Sequence, residues 1–480
     1  MTKQRRFLSN LAFLLLANLL VKPFWILGID RTVQNQVGPE EYGPYFALLN
    51  FSFLFNIFLD FGLNNFNNRA IARHDSLLER LLPNIISLKI LLGAGYFLIS
   101  FFAAMASGFR GDQLFILSFL LFNQILVSFI LYFRSNVAAL HHFRLDAILS
   151  ITDRLLMILL IGFMLWGDVL PGRISIRHFV YGQTLAYFLT AVFAFAALKS
   201  LRKELRLSWR LGLFRKILKL SLPFALLGLL MSIYHRMDAV MIERMLPKGG
   251  ALEAGIYAAS YRLLDAFNMM GFAFASILLP MFARMQKKKE DIRPLLAQGF
   301  KAMLFLAIVV MSISWFYRHE IMQLLYTAYT PYWGELFGLL ILSFAGVASM
   351  YIYGSLLTGG GYLKALNIIG ISGVMVNLIL NLLLIPRFKA EGAALATVVT
   401  QTGVAVAHLI AAAYVFRLRP AQVLPPVIPL FFILAVAEGY LSTVLPFSWI
   451  FQALTAGLAM LLTGFLLRMV NIVNELKATN

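Results

Sequence analysis

The sequence contains no cysteine. Disulfides, thiolate nucleophiles and cysteine-ligated metal sites are thereby excluded. Charge is scarce as well: 13% of the residues are Asp, Glu, Lys or Arg, against roughly 25% in a soluble globular domain. No Walker A loop occurs, which argues against ATP hydrolysis by this chain. The nearest approach to a zinc-protease helix is His319-Glu320-Ile321-Met322-Gln323, which lacks the second histidine of H-E-x-x-H. No metal site and no cofactor are expected.

Apolar length is what the chain has instead. Hydrophobic residues make up 60% of its 480 positions, in repeated runs of about 20, each able to cross a hydrocarbon core roughly 30 Å thick. An open sheet would leave backbone groups unsatisfied in lipid. The expected fold is therefore an all-α polytopic membrane protein with about fourteen transmembrane helices. The spans are placed at Phe7–Ile29, Gly43–Leu63, Leu82–Ala104, Gln113–Phe133, Leu145–Trp166, His178–Leu198, Ile217–Ile242, Glu253–Phe282, Phe300–Trp315, Glu335–Leu357, Leu366–Ile385, Ala393–Phe416, Val423–Ser442 and Phe447–Val470. The opening MTKQRR and LAFLLLANLLVKPFWILGI resemble a signal peptide in outline, but the apolar stretch is too long and reads as the first span.

Basic residues set the orientation. With the N-terminus inside, alternate loops collect about 26 Lys and Arg and the opposite loops about 9, the bias of cytoplasmic loops. Both termini are then expected in the cytoplasm. The net charge of +19 follows from this topology and from contact with anionic membrane lipids, so no nucleic-acid partner is expected. The densest basic stretch, Lys199 to Lys219, interleaves Leu, Trp and Phe with Arg and Lys and reads as an interfacial amphipathic helix. It divides the chain into an N-terminal six-helix half (1–198), a basic linker (199–216), a C-terminal six-helix half (217–416) and two further helices with a tail (417–480).

The two halves carry an internal repeat. Glu41-Tyr42-Gly43-Pro44-Tyr45-Phe46-Ala47 and Glu253-Ala254-Gly255-Ile256-Tyr257-Ala258-Ala259 share E-x-G-x-Y-x-A, each at the opening of the second helix of its half. An aspartate precedes each copy, Asp30 or Asp238, and an Ala-Arg pair follows, Ala72-Arg73 or Ala283-Arg284. Six spans separate the copies, so the halves run parallel and suggest alternating access.

Ionisable groups inside a span cost at least about 2.5–3.5 kcal/mol at the helix centre and ask for a partner or a task. Arg262 and Arg154 each sit about 14 Å into their spans, near the midplane. Lys22 precedes Pro23, which can kink the first helix. Arg236 and Asp238 approach the end of the seventh span. Asp265, three residues from Arg262, shares its face and offers an ion pair, whereas Asp153 is expected to point away from its neighbour Arg154. Lys89 and Lys301 are expected to snorkel toward the cytoplasmic side.

Several segments resemble the polysaccharide-transporter branch of the multidrug/oligosaccharidyl-lipid/polysaccharide (MOP) exporter superfamily. They are Ser221-Leu222-Pro223-Phe224, Gly255-Ile256-Tyr257, Ile277-Leu278-Leu279-Pro280, and above all Asn377-Leu378-Ile379-Leu380-Asn381-Leu382-Leu383-Leu384-Ile385-Pro386 followed by Gly392-Ala393-Ala394. The resemblance implies no enzyme but a flippase for undecaprenyl-diphosphate-linked oligosaccharides, the units of O-antigen, capsule or related surface glycans, in the bacterial inner membrane. Lipid-linked oligosaccharide and membrane lipids are the implied partners, with glycan polymerase or assembly proteins beside them. A diphosphate suits a cationic cavity, and arginine offers it a forked contact. Arg262, Arg154, Lys22, Arg31 and Arg236 are the candidate substrate contacts; Asp265, Asp238, Asp153 and Asp30 are candidates for coupling or charge pairing. Related lipid II flippases place arginines in the first, second and eighth helices; Arg31 and Arg262 fit, but no arginine opens the second span. A drug exporter of the same superfamily and a membrane-embedded glycosyltransferase are the alternatives.

Overall fold

The computed structural model describes residues 18, 20–63, 67, 77–140, 142–167, 172–201 and 207–469. Most of the first expected span lies outside these residues. From residue 20 the chain is helical, and beyond Pro23 it widens into a π-helical stretch, Trp25–Asp30, before continuing as α1 (Arg31–Val37). Such a widening is the local consequence of an extra residue in the helical ladder, and it recurs at functional positions.

The helices that follow in the N-terminal part are α2 (Pro39–Leu54), α3 (Ile57–Asp60), α4 (Leu77–Ala106), α5 (Asp112–Ala139), α6 (Phe143–Trp166), α7 (Ile176–Leu201) and α8 (Leu211–Met245). Next come α9 (Gly250–Lys288), α10 (Arg293–Phe316), α11 (Arg318–Leu325), α12 (Pro331–Ile341), α13 (Ser343–Gly359), α14 (Leu363–Phe416), α15 (Pro420–Val423), α16 (Val427–Thr443) and α17 (Trp449–Leu466). Every element among the described residues is helical. Nine described helices are long and apolar enough to cross a membrane, and α16 is a shorter apolar one.

Compact packing divides the chain into two units, residues 1–258 and 259–480, with the division inside α9. In the first unit α5 packs against α2, α4, α6 and α7, and α2 against α8. A core of Leu82, Ile85, Tyr132, Val137, Leu198 and Phe214 joins α4, α5, α7 and α8. In the second unit α13 packs between α10 and α14, and α16 pairs with α17.

One expectation is corrected over the described residues. There the basic stretch 199–219 is not one separate helix: residues 199–201 close α7 and residues 211–219 open α8. Residues 207–210 are non-helical, and the chain from Leu211 onward already belongs to α8; residues 202–206 lie outside the described residues. The reason is that Phe214 and Ile217, 3% and 1% exposed, enter the core of the unit, whereas an interfacial helix would give its apolar face to lipid. The segment between α10 and α12 contains the two turns of α11.

The eleventh and twelfth expected spans run together in α14. Its 54 residues would measure about 81 Å if straight, far more than a bilayer core. The ladder breaks at Lys389 (φ 52°, ψ −131°), three residues after Pro386. The two segments meet so closely beyond the bend that a Cβ on Gly392 would lie 2.4 Å from the Leu384 carbonyl oxygen. The Pro386 to Gly392 spacing thus has a mechanical reading: a stop, a bend, and a glycine that lets the backbones touch.

Candidate functional site

The two repeat copies meet inside the first unit. A Cβ on Gly43 would lie 1.9 Å from the carbonyl oxygen of Ala251, and one on Gly255 2.0 Å from that of Pro39. The openings of α2 and α9 therefore cross backbone to backbone, and only glycine fits at either point. Glu41, two residues before Gly43, accepts the Ile176 backbone N–H at 3.0 Å, satisfying a donor at the open start of α7.

Each copy also holds its preceding aspartate. Asp30, 1% exposed, accepts the Tyr42 hydroxyl at 2.9 Å and the Gln34 amide at 3.4 Å. Asp238, equally buried, accepts the Tyr257 hydroxyl at 2.9 Å. Tyr45 exchanges hydrogen bonds with Gln183, its hydroxyl accepting the amide N–H at 2.9 Å.

Of the candidate cations, Lys22 and Arg154 share one electrostatic neighbourhood with Asp153 and Arg134. The Arg154 guanidinium lies 5.7 Å from the Trp25 ring and 5.8 Å from the Tyr187 ring, and donates to the Tyr187 hydroxyl at 3.1 Å. An aromatic bracket of this kind keeps a guanidinium stretched out and weakly hydrated. The expectation for Asp153 is corrected: its carboxylate folds back to accept the Arg154 backbone N–H at 2.8 Å, which brings the other oxygen to 3.9 Å from the guanidinium. Arg134 is held by Asp146 at 2.8 Å. Arg236 rests 4.8 Å from the Phe53 ring and donates to Asn50 at 3.4 Å, which links α8 to α2. Arg31 is half-buried, and its Nε has no hydrogen-bond partner.

Arg262 belongs to the second unit. Its guanidinium is 3.9 Å from Asp265, with 14% of the side chain exposed, so the expected intrahelical pair is present.

Sequence reasoning missed the neighbours. Lys89 does not snorkel; it is 2% exposed and held by Asp60 at 3.1 Å. Neither Trp25 nor Tyr187 was singled out, although Trp25 follows Lys22 by three residues and so shares its face of the helix. Near the end of α8, Arg244 lies 3.5 Å from the Phe109 ring and donates to Gln113 at 2.8 Å, fastening that end to the α4–α5 loop and the start of α5.

Comparison with known proteins follows the same line. A family model described as polysaccharide biosynthesis protein matches residues 7–286, more than half of the chain. An uncharacterized membrane protein of Methanocaldococcus jannaschii is 28% identical over 194 residues, covering 39% of this chain and 43% of that protein, so the match spans under half of the relative's length. Among solved structures, the lipid II flippase MurJ in an inward closed conformation superposes with a TM-score of 0.73 at 16% identity, over 93% of this chain and 98% of that one. An inward-facing multidrug resistance MATE transporter of the MOP superfamily gives 0.62 at 13% identity, over 82% and 94%. At these identities the likeness establishes the fold.

Proposed function

We propose, from the premise that the chain belongs to the polysaccharide biosynthesis protein family, that it flips polyprenyl-diphosphate-linked oligosaccharide across the bacterial inner membrane. The multi-pass helical body and the fold of MOP transporters suit a lipid flippase with no chemical step of its own. The two six-helix halves rock in alternation, with both termini in the cytoplasm.

The observation that carries this reading is Arg262. A guanidinium set in an apolar helix, only 14% exposed and 3.9 Å from the Asp265 carboxylate, has the forked geometry that matches a diphosphate which must leave water. In low dielectric such a charge-assisted contact strengthens. Arg154, fixed between Trp25 and Tyr187, and Lys22 beside it supply further cationic groups in the first unit. Arg31 and Arg236 complete the set, while Asp265, Asp153, Asp30 and Asp238 keep arginine or tyrosine partners placed.

The test is export of surface glycan in cells depending on this protein. Arg262→Ala abolishes export while protein abundance stays near normal, and Arg262→Lys restores part of it, because the charge remains and the fork is lost. Normal export by the alanine variant would remove Arg262 from the site. Loss of the variant from the membrane would make Arg262 a structural residue.

A second reading, lipid II as the substrate, is favoured by the superposition on the lipid II flippase. The second helix weighs against it, since Asn50 and Asn56 stand where a third arginine would be expected. Rescue of a lipid II flippase deletion by this chain decides between them.

A further inference from the structure

The second helix does not run through. It stops at Leu54, turns at Phe55, resumes as α3 and ends with Phe61 at φ 42° and Gly62 at φ 77°. A helix that ends in this way leaves carbonyl groups without their intrahelical donors. Here the side chain that arrives comes from another helix. Lys89 of α4, 2% exposed, donates to the Leu59 carbonyl at 3.3 Å, to Asp60 Oδ1 at 3.1 Å and to the Ser128 hydroxyl at 2.7 Å. Ser128 in turn donates to the Leu59 carbonyl at 3.3 Å, and the Tyr132 ring lies 5.7 Å from the ammonium.

An ammonium has three donors, and it meets three oxygens of three kinds: a carbonyl at a helix break, a carboxylate and a hydroxyl. Unwound carbonyls joined by a carboxylate are the ligands with which discontinuous membrane helices hold Na⁺. The nitrogen therefore stands where a monovalent cation would stand, and the covalent stem makes it permanent. None of the roles given above to Lys22, Arg154 or Arg262 uses this cluster.

We propose that the Lys89 ammonium is a built-in monovalent cation at the break of the second helix, and that removing it leaves an oxygen-lined site for Na⁺ or K⁺. In the native chain this part of the first unit is then indifferent to the salt around it. Asp60 supplies the countercharge, and Ser128 and Leu59 supply the neutral ligands.

Thermal unfolding of the full-length protein in detergent tests this, in NaCl, KCl and N-methyl-D-glucamine chloride at equal ionic strength. The native chain melts at one temperature in all three salts. Lys89→Ala melts at least about 5 °C lower in the organic salt, because the half-buried Asp60 carboxylate, 31% exposed, and the buried Leu59 carbonyl both lose the donor they share. It regains at least about half of that loss, saturably, in one of the alkali salts. The Lys89→Ala, Asp60→Asn double variant shows no alkali-specific rise. An alkali-specific rise in the native chain as large as that of the variant would place the ion elsewhere and overturn the proposal. So would a Lys89→Ala protein that responds alike to all three salts. Should that variant not be recovered, Lys89→Ser, which keeps an oxygen in the cage, is judged by the same criteria; failure of both to fold in either alkali salt also refutes it.

Discussion

The two copies of E-x-G-x-Y-x-A solve one problem alike and another differently. Gly43 and Gly255 make the same close approach, within 0.1 Å of each other in the clearance a Cβ would find, 1.9 against 2.0 Å. The aspartates differ in where they find a hydroxyl. Asp238 takes that of Tyr257, the tyrosine of the repeat. Asp30 takes that of Tyr42, which stands one turn earlier, at the place filled by Ala254 in the second copy. Tyrosines three apart share a helix face, so the hydroxyl can be delivered from either position. A backbone crossing has no such freedom, because no side chain can be exchanged to restore it. In this molecule the repeat is strict where main chain meets main chain and loose where a side chain can reach.

That contrast can be broken most severely at the glycines. Gly43→Ala or Gly255→Ala puts a methyl group within 2.0 Å of a carbonyl oxygen. Overpacking against backbone that cannot yield costs more than about 4 kcal/mol. The expected result is loss of the monodisperse peak in size-exclusion chromatography for either variant. A Gly255→Ala protein of native yield and melting temperature would refute the crossing.

The aspartates come next. Asp30→Leu and Asp238→Leu each strand a buried tyrosine hydroxyl and remove a carboxylate acceptor, at about 1–3 kcal/mol. The shared role predicts costs within about 1 kcal/mol of each other, read as similar falls in melting temperature. A large inequality would show that one aspartate holds its unit together and the other does not. The smallest effect belongs to the tyrosines: Tyr42→Phe and Tyr257→Phe keep the ring and lose one hydrogen bond, about 1 kcal/mol each. Detergent unfolding curves resolve this, and a fall from Tyr257→Phe as deep as that from Asp238→Leu would contradict the ordering.

Much of the fold was legible because hydropathy reads residue by residue. The all-helical character, the division between the eleventh and twelfth expected spans, and the aspartate and glycine of the repeat are visible in the chain. What stayed hidden were pairings across helices. Lys89 looked like a side chain able to reach an interface, because its partner Asp60 is 29 positions away and Ser128 lies on a third helix. Burial of Phe214 and Ile217 turned an apparently interfacial stretch into the start of α8. Arg154 stood out as an arginine inside an expected span, but Trp25 and Tyr187 around it belong to two other parts of the chain. The short reach of the Asp153 side chain back to its own backbone is a rotamer choice, which no helical wheel displays. Arg262 and Asp265 were foreseen because their pairing is local.

The bend in α14 bears on how the chain is made. Between Pro386 and Gly392 the polypeptide turns on a single left-handed residue, Lys389, and closes on itself with glycine against backbone. So short a connection cannot stretch across a bilayer. While a ribosome feeds the chain into the membrane, the first segment has no slack with which to wait on one side for the second. The two segments therefore partition into lipid as one helical hairpin, and the apolar strength of each has to serve for both at the moment of insertion.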